Sequence, residues 1–119
     1  MKVTIYHNPR CSKSRAALDL LIARGVAPEI VPYLETPPTP ARLRALLNML
    51  GLPPRGLLRR QEAAYREAGL DDETLPDERI IAAMIEHPIL IERPIAVVAK
   101  DGRERAALGR PPEAILDLL

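Results

Sequence analysis

The only cysteine of the chain, Cys11, stands in the stretch YHNPRCSKSR, residues 6–15, close to His7, Arg10, Lys13 and Arg15. The reactive form of cysteine is the thiolate, and cationic neighbours or a helix N-terminus lower its pKa. Residues 2–6, KVTIY, read as a short β-strand, rich in β-branched and aromatic residues. His7, Asn8 and Pro9 break it, and a helical pattern begins near Ser12. Cys11 is thus expected in a strand-to-helix loop, where unpaired N–H groups and the helix dipole favour an anion. The competing reading is a small buried residue, as free cysteines commonly are. A dithiol redox enzyme would carry C-x-x-C, but here Ser14 occupies the position of the resolving thiol. A redox cycle at Cys11 therefore needs a second thiol from outside the chain.

The elements that must position this loop follow from periodicity and turn residues. The first helix is predicted from about Ser12 to Arg24, with Ala16, Ala17, Leu18, Leu21 and Ile22 apolar and Gly25 as its left-handed stop. Residues 29–33, EIVPY, form a second strand, which Pro32 confines to a sheet edge. A turn-rich connection leads to ARLRALLNML, a helix capped by Thr39 or Thr36, with Leu43, Leu46, Leu47 and Leu50 on one face. Short helices broken by Pro53, Pro54 and Gly56 follow, then PDERIIAAMIEH, with Asp77 as cap. PIAVVA (94–99), the turn KDG and RERAAL (103–108) read as a hairpin, since Asp-Gly is a strong turn signal. PPEAILDLL closes the chain as a helix with proline at its start. The order is β-α-β, a helical stretch, then β-β-α. It predicts an α/β fold: a thioredoxin-like, mixed four-stranded sheet with a helical insertion between its halves.

The 119 residues suit a single domain, residues 1–119, and the 47% apolar content is that of a globular chain. No apolar run approaches the roughly 18–20 residues that span a bilayer. The N-terminus lacks a secretory pattern, so a cytoplasmic protein without membrane association is expected. His7 and His87 lie far apart, and neither belongs to a close pair of ligands, so no metal site is expected. Residues 1–60 carry ten Lys/Arg against three Asp/Glu (+7), and residues 61–119 carry seven against thirteen (−6). This is either a mixed solvated surface or a basic face beside Cys11 that attracts a small anion. Without Trp or Phe, and with a net charge of only +1, nucleic-acid binding is not expected.

Five blocks in order, IYHNPRCSKSR, YLETPP, RGLLRR with HPILIERPI, and LGRPPE, resemble the glutaredoxin-coupled arsenate reductase family over nearly the whole chain. Arg10 before the cysteine and Ser12-Lys13 after it, with the short end after PPEAILDLL, resemble a shorter branch of that family, which is related to Spx-like regulators. The resemblance implies a thioredoxin-like fold with no bound cofactor. It implies that Cys11 attacks arsenate, that glutathione is co-substrate, and that glutaredoxin regenerates the system once arsenic is reduced to arsenite. It places the oxyanion on Arg59, Arg93 and Arg110, assigns His7 to favouring the thiolate, and makes the peptide between Arg93 and Pro94 cis. Asn8, Ser14, Arg15 and Pro94 are expected in supporting positions around the site. Guanidinium suits this task because it remains charged and offers planar, multiple donors to a tetrahedral anion.

Two further readings stay open at this level. One is an Spx-like protein that binds RNA polymerase without redox sensing. The other is a monothiol oxidoreductase acting on a different substrate, such as glutathionylated proteins or another oxyanion.

Overall fold

In the computed structural model, which describes residues 1–119, β1 (Lys2–Tyr6) pairs on both sides. Its β-branched and aromatic residues alternate across the sheet, with Val3 and Ile5 on one face. β2 (Glu29–Val31) runs parallel to it, with Ile5 opposite Ile30. β3 (Ile95–Lys100) runs antiparallel on the other side, with Ile5 opposite Ala96, and β4 (Arg103–Leu108) completes the order β2-β1-β3-β4. The expected mixed four-stranded sheet is therefore present, with β2 at an edge as Pro32 required. β2 ends at Val31 and not at Tyr33, because Pro32 has no N–H with which to continue a ladder. The hairpin turn is tighter than predicted. Lys100 remains in β3, and only Asp101 (φ 54°) and Gly102 (φ 74°) turn the chain, both in the left-handed region that such a two-residue turn needs.

Two compact units emerge, one formed by Met1–Thr36 with Arg93–Leu119, the other by Pro37–Glu92. In the first, α1 (Ser12–Ala23) packs on the sheet through Ala17 and Leu21. With Val3, Ile5, Ala96, Val98, Ile115 and Leu118 they make one apolar cluster. Ser14, Ala17 and Leu21 define the buried stripe of α1. Ile22, predicted on the apolar face, is 58% exposed. It lies one residue past Leu21 and so points about 100° away. The last segment, Pro112–Leu118, is a 3₁₀ and not an α-helix. Three residues per turn place Ile115 and Leu118 on one side, where both are buried.

The second unit is helical: α2 (Pro40–Leu50), α3 (Ala63–Glu67) and α4 (Asp77–Glu86), with 3₁₀ turns at Pro54–Leu57 and Pro88–Leu90. Thr39 caps α2 by accepting from the Arg42 N–H at 3.1 Å, and Pro40 occupies its first turn. Leu43, Leu46 and Leu47 are buried, as are Ile80, Ile81 and Met84 of α4. Asp77 is not the cap of α4. Pro76 holds that position, and Asp77 with Glu78 falls in the first turn, where the helix dipole favours acidic groups. Leu58 and Ile91 form an isolated antiparallel bridge, flanked by Arg59 N–H to Leu90 O (2.7 Å) and Glu92 N–H to Leu57 O (2.8 Å). No helix is long and apolar enough to cross a membrane.

Candidate active site

The loop between β1 and α1 is held by its own backbone. The Cys11 N–H donates to Asn8 O, and Cys11 O accepts from the Arg15 N–H, each at 3.0 Å. Cys11 is thus the N-cap of α1, in extended conformation (φ −93°, ψ 122°). Its carbonyl begins the helix, and its side chain faces the helix's unpaired N–H groups. Asn8, 2% exposed, braces the turn by accepting from the Arg10 N–H through Oδ1 at 3.0 Å. Arg15 reaches back and donates to Pro9 O at 2.9 Å.

Partial burial of the Cys11 sulfur pushes its pKa up. The backbone N–H groups of Ser14 and Lys13, then the hydrogen bond and charge of Arg93, outweigh it, and the net shift is downward. Lys13 acts here through its amide and not, as its sequence position implied, through its ammonium. The placement favours an activated thiol over an inert buried cysteine.

Two arginines from the paired ends of β3 and β4 meet this sulfur. Arg93, two residues before β3, is buried and hydrogen-bonds Cys11. Arg110, just after β4, places Nη2 at 3.9 Å from Cys11 Sγ while its Nε donates to Arg93 O at 2.9 Å. The β3–β4 pairing, in which Ile95 faces Leu108, is what brings residues 93 and 110 together. The Arg93–Pro94 peptide is cis as expected, and Arg110–Pro111 is cis as well. Gly109 joins the two ends: its N–H donates to Pro94 O at 2.8 Å. A Cβ there would lie 2.5 Å from Pro94 Cγ. Nothing in the sequence pattern singled out Gly109, because its neighbour Pro94 is distant along the chain.

His7 is anchored in the loop by Ser14. Its Nδ1 lies 2.7 Å from Ser14 Oγ, which also accepts from the Asn8 N–H at 3.0 Å. Burial and then the charge of Arg15 hold its pKa below the ordinary histidine value. Burial beside Arg15 thus favours the neutral imidazole over the imidazolium, and the ring and the Ser14 hydroxyl hold one another in place. Ser14 itself is wholly buried, so its hydroxyl is an internal strut of the loop.

Arg59 belongs to the helical unit, where Glu62 (3.3 Å from Nε) and Glu92 (at Nη1) bind it. Burial would lower its pKa, but Glu92 and then Glu62 hold it above the ordinary arginine value. Of the three arginines singled out by sequence, Arg93 and Arg110 thus stand at Cys11, and Arg59 has carboxylate partners within its own unit.

A model of the ArsC family matches residues 6–118. The chain belongs to the ArsC family. Its relatives include the uncharacterized protein YfgD of Escherichia coli, 50% identical over 99% of this chain and 97% of the relative. The arsenate reductase of Neisseria meningitidis is 47% identical over 96% of this chain and 95% of its own. The structure of the arsenate reductase from Vibrio cholerae superposes with a TM-score of 0.89 at 48% identity, covering 100% of this chain and 98% of that one.

Proposed function

We infer that this chain is an arsenate reductase of the thiol-dependent type, with Cys11 as nucleophile. The observation that carries the reading is the Cys11 sulfur with its lowered pKa, between the N-terminus of α1 and the guanidinium groups of Arg93 and Arg110. A tetrahedral oxyanion next to that sulfur gains charge-assisted hydrogen bonds from fixed donors, which strengthen as negative charge develops on its oxygens. The thiolate attacks arsenic, forming a sulfur–arsenic bond as one oxygen leaves as water. Because Ser14 cannot close a disulfide with Cys11, glutathione supplies the second thiol. Over the cycle two thiols become one disulfide, arsenic gains two electrons as arsenate becomes arsenite, and one oxygen ends as water. Glutaredoxin then reduces the mixed disulfide and returns the Cys11 thiol.

Arg59 is assigned to the same anion by its position in the RGLLRR block, and a variant tests that assignment below. Arsenite formation with glutathione and glutaredoxin, compared between the native chain and Cys11→Ser, tests the function. The reading predicts turnover abolished by the substitution. A native chain that forms no arsenite with the complete thiol system would overturn it in favour of another thiol substrate or a binding role.

A further inference from the structure

The site has two flanks, because β1 lies between β2 and β3. Arg93 and Arg110 reach Cys11 from the β3–β4 side. On the β2 side, a groove of about 340 Å³ opens against the same loop, walled by Pro9, Arg10, Pro32, Leu34 and Glu35. That volume lies at the small end of the range of ligand sites, roughly 300–1,000 Å³. Arg10 is the residue next to Cys11, their Cα atoms about 3.8 Å apart.

The groove is built before any ligand arrives. The His7 N–H donates to Val31 O at 3.0 Å and ties the end of β1 to the end of β2. The N–H groups of Glu35 and Thr36 both donate to Pro32 O at 2.9 Å and fix the opposite wall. Pro9 and Pro32 have restricted backbones, so little ordering remains to be done on binding. Arg10 and Glu35 are exposed, line one groove, and make no ion pair with each other. An oxyanion alone would meet Arg10 but be repelled by Glu35. A ligand of modest size carrying an ammonium and carboxylates, with an apolar stretch between them, satisfies both walls.

We propose that this groove binds the glutathione tripeptide, with a carboxylate on Arg10, the ammonium on Glu35, and the thiol directed at Cys11. The inference rests on Cys11 being the nucleophile of a thiol-dependent reduction. It adds where the second substrate sits: the oxyanion on the arginine flank, the tripeptide on the β2 flank. The two can then occupy the site together without competing for one set of donors.

Oxidised glutathione tests this without arsenate. The Cys11 thiolate attacks one of its sulfurs, the old S–S bond breaks, a Cys11–glutathione disulfide forms, and one glutathione thiolate leaves. The rate is followed by intact mass for the native chain, Arg10→Gln and Glu35→Gln, with bis(2-hydroxyethyl) disulfide as an uncharged comparator. Each substitution is expected to slow glutathionylation about tenfold, the size of one charge-assisted hydrogen bond, and to leave the uncharged reaction unchanged. Glu35→Gln is the sharper of the two. Oxidised glutathione is net negative, so a merely long-range effect of removing a carboxylate would accelerate its reaction. Acceleration or no change in Glu35→Gln, or equal slowing with both disulfides in either variant, overturns the groove. A native Cys11 inert to both disulfides would instead overturn the underlying thiol reading.

Discussion

Arg110 ties the two halves of the candidate site together: its Nε donates to Arg93 O at 2.9 Å, and its Nη2 lies 3.9 Å from Cys11 Sγ. One guanidinium therefore fixes the backbone beside its fellow arginine while presenting charge to the thiolate. Arg110→Ala removes both. It should raise the pH midpoint of Cys11 alkylation by iodoacetamide and raise KM for arsenate by roughly 10- to 100-fold, the range of one charge-assisted contact. Arg110→Lys should recover only part, because a point charge cannot bond two acceptors in the planar geometry of arginine. An unchanged alkylation midpoint in Arg110→Ala would remove Arg110 from thiolate stabilisation.

Gly109 is needed for space. An added Cβ would meet Pro94 Cγ at 2.5 Å and Cδ at 3.1 Å, and both belong to a ring that cannot swing away. Gly109→Ala should cost about 1–3 kcal/mol of stability, as overpacking does. It should also displace Arg110, the next residue, and lower arsenate turnover. Urea denaturation with the coupled assay reads both, and native stability in this variant would refute the close packing.

The Ser14 hydroxyl serves two buried neighbours, His7 Nδ1 and the Asn8 N–H. Ser14→Ala leaves both without it and should destabilise the fold by about 1–3 kcal/mol. It should slow Cys11 alkylation as well, because the loop that sets the sulfur loses its strut. A thermal melt within error of the native chain would show that the network carries little.

The folded-state pKa of His7 is lowered by burial and by Arg15. The unfolded chain therefore binds a proton more readily, and stability rises with pH across the interval between the two values. The contribution is complete above the unfolded value of about 6.5 and is lost as pH falls from there through the folded value. Melting temperature from pH 8 to pH 4, a range chosen to bracket about 6.5, should fall less steeply in His7→Gln than in the native chain. Equal slopes would mean that His7 is not the group responsible.

Arg59 carries two carboxylate partners, Glu62 and Glu92, and its side chain is 19% exposed. Arg59→Ala should lower stability by about 1 kcal/mol. If Arg59 also holds the oxyanion, it should raise KM for arsenate while leaving Cys11 alkylation unchanged. A loss of stability with native KM would confine Arg59 to its ion pairs.

Much of this was legible locally. The strand-loop-helix placement of Cys11, the edge position forced by Pro32 and the Asp101-Gly102 turn all depend on residues close in sequence. What escaped depended on partners far along the chain. Glu92 lies 33 residues from Arg59, and Pro94 lies well before Gly109, so neither contact leaves a periodic signal. The charges of Arg10 and Lys13 looked like contributions to the thiolate because they are neighbours in sequence. In the fold Lys13 contributes its amide, and Arg10 faces the groove on the β2 side. Burial beside Arg15 lowers the His7 pKa, and residue type alone does not carry that context. Ile22 and Asp77 were displaced by a single position each, the resolution at which helical pattern alone stops discriminating.

The most direct test of the account is to trap the chain after one turnover. Protein incubated with arsenate and glutathione, with glutaredoxin withheld, is digested and its Cys11 peptide weighed, while arsenite released is counted against protein. Glutathione in disulfide linkage to Cys11 is expected, with about one arsenite per chain from the single-thiol stoichiometry, and neither product in Cys11→Ser. Continued arsenite formation from protein and arsenate with no added thiol, or arsenite release that leaves the Cys11 peptide unmodified, would contradict it.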